Sequence, residues 1–199
     1  MARLSAEERR QQLVRAAIEV MGEEGLDAAT TRRIAEQADV PLGTVHHVFE
    51  NKRELLRAVV ESVTGDVAAA LDEVISPAHG LARAVEDSVR GFWRMVEGAP
   101  GAQLMRYELT TYAIRRPELA WLAEWQCQRY CSVVETAYRR ARRPDETPVM
   151  PLPQLARLVV AATDGIVVQY LAHGNTRRAR QDVRNLVQAV RGLVRTDAG

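Results

Sequence analysis

Apolar positions recur at helical spacing from one end of the chain to the other. In SAEERRQQLVRAAIEVMGEEG, residues 5–25, Leu13, Ala17, Val20 and Met21 repeat on one face. Ser5 and Glu8 stand at the spacing of a capping box, and Gly25 marks the stop. A short second helix is predicted over TTRRIAEQA with Thr30 as its cap, and a third over PLGTVHHVF with Pro41 at its first position. Asn51 and Glu54 repeat the capping-box pattern and open a long fourth helix that Pro77 ends. Further helices are predicted over about 79–97, 101–115 and 117–143, each bounded by a Gly or Pro signal. RRPDETPVMPLP, with half of the eight prolines, reads as a loop. QLARLVVAATDGIVVQYLAH, ended by Gly174 and Asn175, and RRARQDVRNLVQAVRGLV, running nearly to the end, complete the series. No stretch sustains a period-two pattern and no internal repeat is present, so the expected fold class is all-α with about nine helices.

Composition narrows the class without naming a function. A chain of 199 residues, 47% hydrophobic and 27% charged, is long enough to bury a core, which fits a soluble, helix-rich globular protein and argues against disorder. The start, MARLSAEERRQQ, has no apolar core, and the longest apolar run is broken by Thr163, Asp164, Gly165 and Gln169. Neither a signal peptide nor a membrane span is expected, and the cytoplasm is the expected compartment. Two cysteines cannot build a disulfide framework and suit a reducing cytosol. Cys127 and Cys131 lie four apart on one helical face, yet two ligands without a nearby His or third Cys do not complete a zinc site. Their expected role is packing, with no metal and no cofactor. A net charge of +1 makes no case for nucleic acid by itself, so any such case rests on where the charges lie.

Residues 30–49 carry the most specific pattern. Two short helices crossing steeply need apolar residues at set offsets, a small residue where they touch and a turn residue tolerant of left-handed backbone. Ile34, Ala35, Ala38, Val40, Val45 and Val48 fill the apolar offsets, Ala35 is the small contact, and Asp39 occupies the turn. These offsets match a helix-turn-helix, whose second helix enters the major groove of DNA, rather than an ordinary three-helix bundle.

TTRRIAEQADVPLGTVHHVFENKRELL, following a helix that ends in EEG, resembles the N-terminal domain of the tetracycline-repressor (TetR) family of transcriptional regulators. The likeness is dense from Ser5 to Leu56; the remainder agrees in length and organisation. Where the family often has a Tyr and a second aromatic or His before the Phe, this chain has His46, His47 and Val48. The resemblance implies a DNA-binding domain over residues 1–50 and an effector-binding and dimerisation domain over 51–199. It implies that Leu42, Gly43 and Thr44 face the groove, Gly43 allowing close approach and Thr44 offering a hydroxyl and a methyl to base edges. His46 and His47 would reach phosphates or bases, and Thr31 and Arg32 would hold the flanking backbone.

Lys52 is the only lysine of the chain. In the first turn of a helix a cation opposes the dipole, but a phosphate there reverses the sign, because an ammonium and free N–H groups then bind one anion. Arg32 and Arg33 open the second helix in the same way. Arg177 and Arg178 also open a helix where no DNA is expected, so position alone does not assign the role. The first sixty residues hold nine basic and ten acidic side chains, so the binding face must segregate them, with Glu7, Glu19, Glu23 and Asp27 turned away.

The aromatic and soft residues concentrate in the middle of the chain. Trp93, Met105, Tyr107, Glu108, Tyr112, Trp121, Trp125, Asp164 and Gln169 are the candidate effector residues, with Gln103 as a further polar group. The family binds effectors between these helices, which implies a small apolar or aromatic effector. Residues 155–172 are apolar nearly all round, and Val183, Leu186, Val187, Val190, Leu193 and Val194 form a stripe. Two such helices per subunit would make a homodimer through a four-helix bundle and require a palindromic double-stranded operator. The expectation is a ligand-released repressor. An effector-independent architectural DNA binder would not need an aromatic-lined second domain. No P-loop, nucleophile elbow, HExxH or CxxC pair is present, and GAPG at 98–101 follows no strand, so an enzyme is not expected.

Overall fold

The computed structural model describes residues 4–196, and they are mostly helical, with one short strand pair. Helix α1, Ala6–Glu24, begins at the expected capping box: Ser5 accepts from the Glu8 N–H at 3.2 Å, and the Glu8 carboxylate accepts from the Ser5 N–H at 2.7 Å. It stops at Gly25, whose φ of 85° favours a residue without Cβ. Helix α2, Thr31–Gln37, is capped by Thr30, and α3 spans Leu42–Val48. Pro41 stands one position earlier than expected, as the N-cap of α3. Between α2 and α3, Asp39 has a φ of 51°, the left-handed turn that the motif demands. The Val40 N–H returns to the Ala35 carbonyl at 3.0 Å and closes the end of α2.

Helix α4 runs Lys52–Val74, α5 Leu81–Gly98, α6 Pro100–Ile114, α7 Ala120–Ala141, α8 Leu152–His173 and α9 Thr176–Arg191. The chain forms two compact units, each discontinuous in sequence. The first takes residues up to Val63 together with Gly101–Gln126, and the second takes Thr64–Pro100 with Cys127 onward. In the first, Leu13, Ile34, Val45, Leu56, Met105, Leu109 and Leu122 share one core. Each fully buried large side chain contributes about 1.5–3 kcal/mol. Gln12 adds a polar tie, donating from Nε2 to the Ala38 carbonyl at 2.8 Å and so fixing α1 against the turn.

In the second unit α9 packs on α5 and α8, and the Tyr138 hydroxyl shares a buried hydrogen bond with Ser88 at 2.7 Å; burial holds that phenol above its ordinary range. Two expectations fail here. The proline-rich segment is not wholly loop, because β1, Glu146–Pro148, pairs antiparallel with β2, Val194–Thr196. For the same reason the last helix stops at Arg191 instead of running nearly to the end. Three-residue strands are too short to show alternation. The Glu146 carboxylate, which is 5% exposed, accepts from the N–H groups of Leu81 at 2.6 Å, Ala82 at 3.2 Å and Arg143 at 2.9 Å. It thereby caps α5, for which Gly80 supplies no side-chain cap. Gly80, at φ 83°, is required there: a Cβ would stand 2.7 Å from Glu146 Oε1.

Among the described residues, α8 is one helix long and apolar enough to cross a membrane by length and composition. Its Leu155, Ala156, Val159, Thr163 and Val167 are buried within the unit, while Leu158 and Val168 stay 44% and 49% exposed.

Candidate nucleic-acid interface

Helix α3 is seven residues long and divides sharply. Val45 is buried, and so is Phe49 just beyond the helix, whereas Leu42, Gly43, His46 and His47 are exposed and Thr44 and Val48 are half-buried. Leu42, a large apolar side chain left 41% exposed, has no role in the core. A Cβ added at Gly43 would meet nothing within 4 Å, so the fold itself does not require glycine there.

Three helices bring expected contact residues to one small cavity. About 170 Å³ in volume, it is lined by Thr31 of α2, His46 of α3, and Lys52 of α4, with Glu50, Asn51 and the apolar Val45, Phe49 and Leu55. Lys52 is the first residue of α4 and is exposed. The cap beneath it is built by Asn51, whose Oδ1 accepts from the Glu54 N–H at 3.0 Å. Glu54 reaches back to the Glu50 N–H at 2.9 Å, which helps hold its carboxyl below the usual range. Arg10 binds the same carboxylate at 2.9 Å and lies 4.7 Å from the centre of the Phe49 ring.

Arg32 is almost free, its side chain 83% exposed and only 3.8 Å from Glu36. Arg33 differs: Nε and Nη2 donate to Glu24 at 2.9 and 2.6 Å, and Nη2 also reaches Gln37 at 3.0 Å. Its guanidinium is committed to joining α2 to the end of α1. Glu19 accepts from Gln37 at 3.0 Å, and Glu7, Glu23 and Asp27 are exposed.

The nine candidate effector residues fall in both units. Met105, Tyr107, Glu108, Tyr112, Trp121 and Trp125 belong to the first, and Trp93, Asp164 and Gln169 to the second. Met105 is core, and Trp93 is buried against Tyr170 in an edge-on contact at 5.1 Å, its Nε1 lacking a hydrogen-bond partner. Gln169 is exposed on α8, and Asp164 is half-buried. Glu108 and Tyr112 line an open groove of about 720 Å³ within the first unit, with Glu24, Asp27, Thr111, Arg115 and Arg116. The Tyr107 ring lies 4.3 Å from the Arg106 guanidinium. Tyr112 lies between two cations, Arg116 at 3.5 Å and Lys52 at 5.4 Å from its ring centre. Trp121 and Trp125 carry Arg53 at 4.9 Å and Arg57 at 5.5 Å. Sequence reasoning missed Arg53, Arg57 and Arg116; the one-turn spacing shared by Arg53 and Arg57 with Trp121 and Trp125 is the signal that points to them. Gln126, also missed, is buried, and its Oε1, like that of Gln103, lacks a hydrogen-bond partner. Among the described residues no three His, Cys, Asp or Glu side chains gather as a metal site.

A helix-turn-helix with its reading helix exposed and basic residues at the first turn of the following helix defines a DNA-binding regulator. The chain belongs to the TetR family: residues 13–59 match the family described as bacterial regulatory proteins, tetR family, and residues 76–195 the tetracyclin repressor-like C-terminal domain. It is 29% identical to the nicotine-responsive transcriptional repressor HdnoR of Paenarthrobacter nicotinovorans, over 94% of this chain and 96% of that one. Against the regulator BetI of Escherichia coli it is 29% identical over 59% of this chain and 53% of the relative. The multidrug binding protein EbrR superposes in its complex with imidazole at a TM-score of 0.69 and 26% identity, covering 96% and 97% of the two chains. Its proflavin complex gives 0.61 at 26% identity over 91% and 99%. The protein is a DNA-binding transcriptional regulator of this family.

Proposed function

We propose that the protein is a cytoplasmic repressor, without enzymatic activity, that binds a palindromic operator as a homodimer and is released by a small apolar or aromatic effector. The observation that carries this reading is the convergence of Thr31, His46 and Lys52, from three helices, on one cavity beside the exposed face of α3. A hydroxyl, an imidazole and an ammonium suit a backbone phosphate. Leu42, Gly43 and Thr44 then meet base edges, His47 flanks them, and Arg32 reaches the neighbouring backbone. Arg33, occupied by Glu24, supports α2 from behind. DNA binding is assigned to residues 1–50 and effector binding with dimerisation to 51–199; the packing units cut across that division, with α4 contributing to both.

The exposed Leu158 and Val168 of α8, with the stripe on α9, support a two-fold helical interface. Two reading helices related by that axis require half-sites about 34–36 Å apart or a multiple of that spacing. The effector class is supported by HdnoR, which is nicotine-responsive, and by EbrR, which binds proflavin. Effector binding shifts α4 and with it Lys52, a coupling of about 1–3 kcal/mol.

Anisotropy titration of a labelled operator tests the reading. Thr44→Ala should relax sequence choice with little loss on non-specific duplex, and Leu158→Glu should yield monomers by sedimentation that bind half-sites weakly. An effector that binds tightly yet leaves operator affinity unchanged overturns ligand release.

A further inference from the structure

In the first unit, two arginines and two tryptophans are in register. Trp121 and Trp125 lie on successive turns of α7, ring centroids 6.4 Å apart and planes inclined at 49°. Arg53 and Arg57 lie on successive turns of α4 and place their guanidinium carbons 4.9 and 5.5 Å from those ring centres. Both indoles pack on the core yet are only half-buried, and both arginines are exposed. Arg53 is also held by the Glu118 carbonyl at 3.0 Å, and Arg57 by Glu61 at 3.1 Å, on its own helix. Glu61 shares α4 with Arg57, so that pair does not depend on α7.

An aromatic face attracts any cation by its quadrupole and does not select guanidinium over another organic cation. The buried Nε1 of Trp121 has no hydrogen-bond partner, an N–H that an acceptor on a bound molecule would satisfy. We propose that the Trp121–Trp125 pair is a seat for a small organic cation, flat or quaternary, and that Arg53 and Arg57 fill it when the effector is absent. This rests on the ligand-released reading above and names the chemistry of the ligand. Filling the seat detaches the first two turns of α4 from α7 and displaces Lys52, the first residue of that helix, from the cavity it shares with Thr31 and His46.

The test is a titration of the full-length protein with benzyltrimethylammonium and with its uncharged carbon isostere neopentylbenzene, read by tryptophan fluorescence and melting temperature. The cation should bind at least about tenfold more tightly than the isostere. Arg57→Met should raise cation affinity about threefold, because the ring no longer has to be vacated, and Trp125→Leu should lower it about tenfold, with Trp125→Phe recovering most of the loss. Equal binding of cation and isostere overturns the seat, as does an Arg57→Met variant with unchanged or weaker affinity. Should Trp125→Leu fail to fold, Arg57→Met decides alone. Operator anisotropy on the same samples separates the two readings: an operator bound and then released by another effector, with no cation at Trp125, removes the seat and leaves the repressor standing.

Discussion

Along the first two turns of α4 the basic side chains lie over aromatic rings, Lys52 over Tyr112, Arg53 over Trp121 and Arg57 over Trp125, whereas in the second unit they are matched to carboxylates. Arg191 binds Glu86 through Nε at 2.6 Å and Nη2 at 3.1 Å, Arg180 binds Glu97 at 2.6 Å, and Arg140 binds Asp72 at 2.6 Å. A carboxylate cancels the charge it pairs with. A ring holds the side chain and leaves the charge to be felt by a third party. At the start of α4, Lys52 and Arg53 are therefore placed but not neutralised, as a polyanionic partner requires, Arg57 alone adding a carboxylate partner in Glu61, while the second unit spends its arginines on cohesion. Within the first unit Arg33 with Glu24, Arg10 with Glu54, Arg57 with Glu61 and Arg32 with Glu36 are carboxylate pairs, and the first two pin α1 to a neighbouring element.

The largest effect should come from the carboxylate side. Glu146→Ala strips the acceptor from three backbone N–H groups and should cost about 3 kcal/mol in urea unfolding; a variant as stable as the parent would show that water caps α5 as well. Acid should act on the same groups. Burial pushes the Glu146 carboxyl up, but the N–H groups of Leu81, Arg143 and Ala82 outweigh it and leave it below its ordinary 4.5; for Glu86 the Arg191 hydrogen bond lowers it against burial. With both folded values depressed, their stabilisation is complete above that pH and drains away below it, as the pH falls through the lowered folded values, visible as a declining melting temperature.

Next comes Lys52→Ala. It should weaken operator binding about fivefold near 0.15 M salt, evenly across sequences, and lower the salt slope by about one; an untouched slope would mean that Tyr112 keeps the ammonium from DNA. The smallest effect separates the two ways of holding a cation. Arg53→Met, which removes a cation held by the Trp121 ring and the Glu118 carbonyl, should cost about 0.5–1 kcal/mol of stability, nearly the same in 1 M NaCl. The loss caused by Arg191→Met should shrink in that salt, because ion pairs are screened.

What could be read along the chain was whatever local chemistry decides. Ser5, Thr30 and Asn51 cap helices from within four residues, and Asp39 sets its turn from its own φ. The strand pair could not be read that way, because Glu146 meets Thr196 only after α8 and α9 have been folded between them. The candidate site divides likewise. The α3 face was legible from the spacing of Val45 and Val48, but the partners of Trp121 and Trp125 lie on a helix nearly seventy residues earlier, so their rings read as ligand wall and only the matching one-turn spacing hints at the arginines over them.

The open space around Gly43 has a consequence for how this surface changes over generations. Alanine there should make α3 more stable by about 0.5–1 kcal/mol, so a screen for thermal resistance would enrich it, and a screen for operator retention would reject it. Two selections that disagree at one codon mark a residue kept for what lies outside the protein. The same codon is the place to begin a library for retargeting, since a Cβ there meets no neighbour in the subunit.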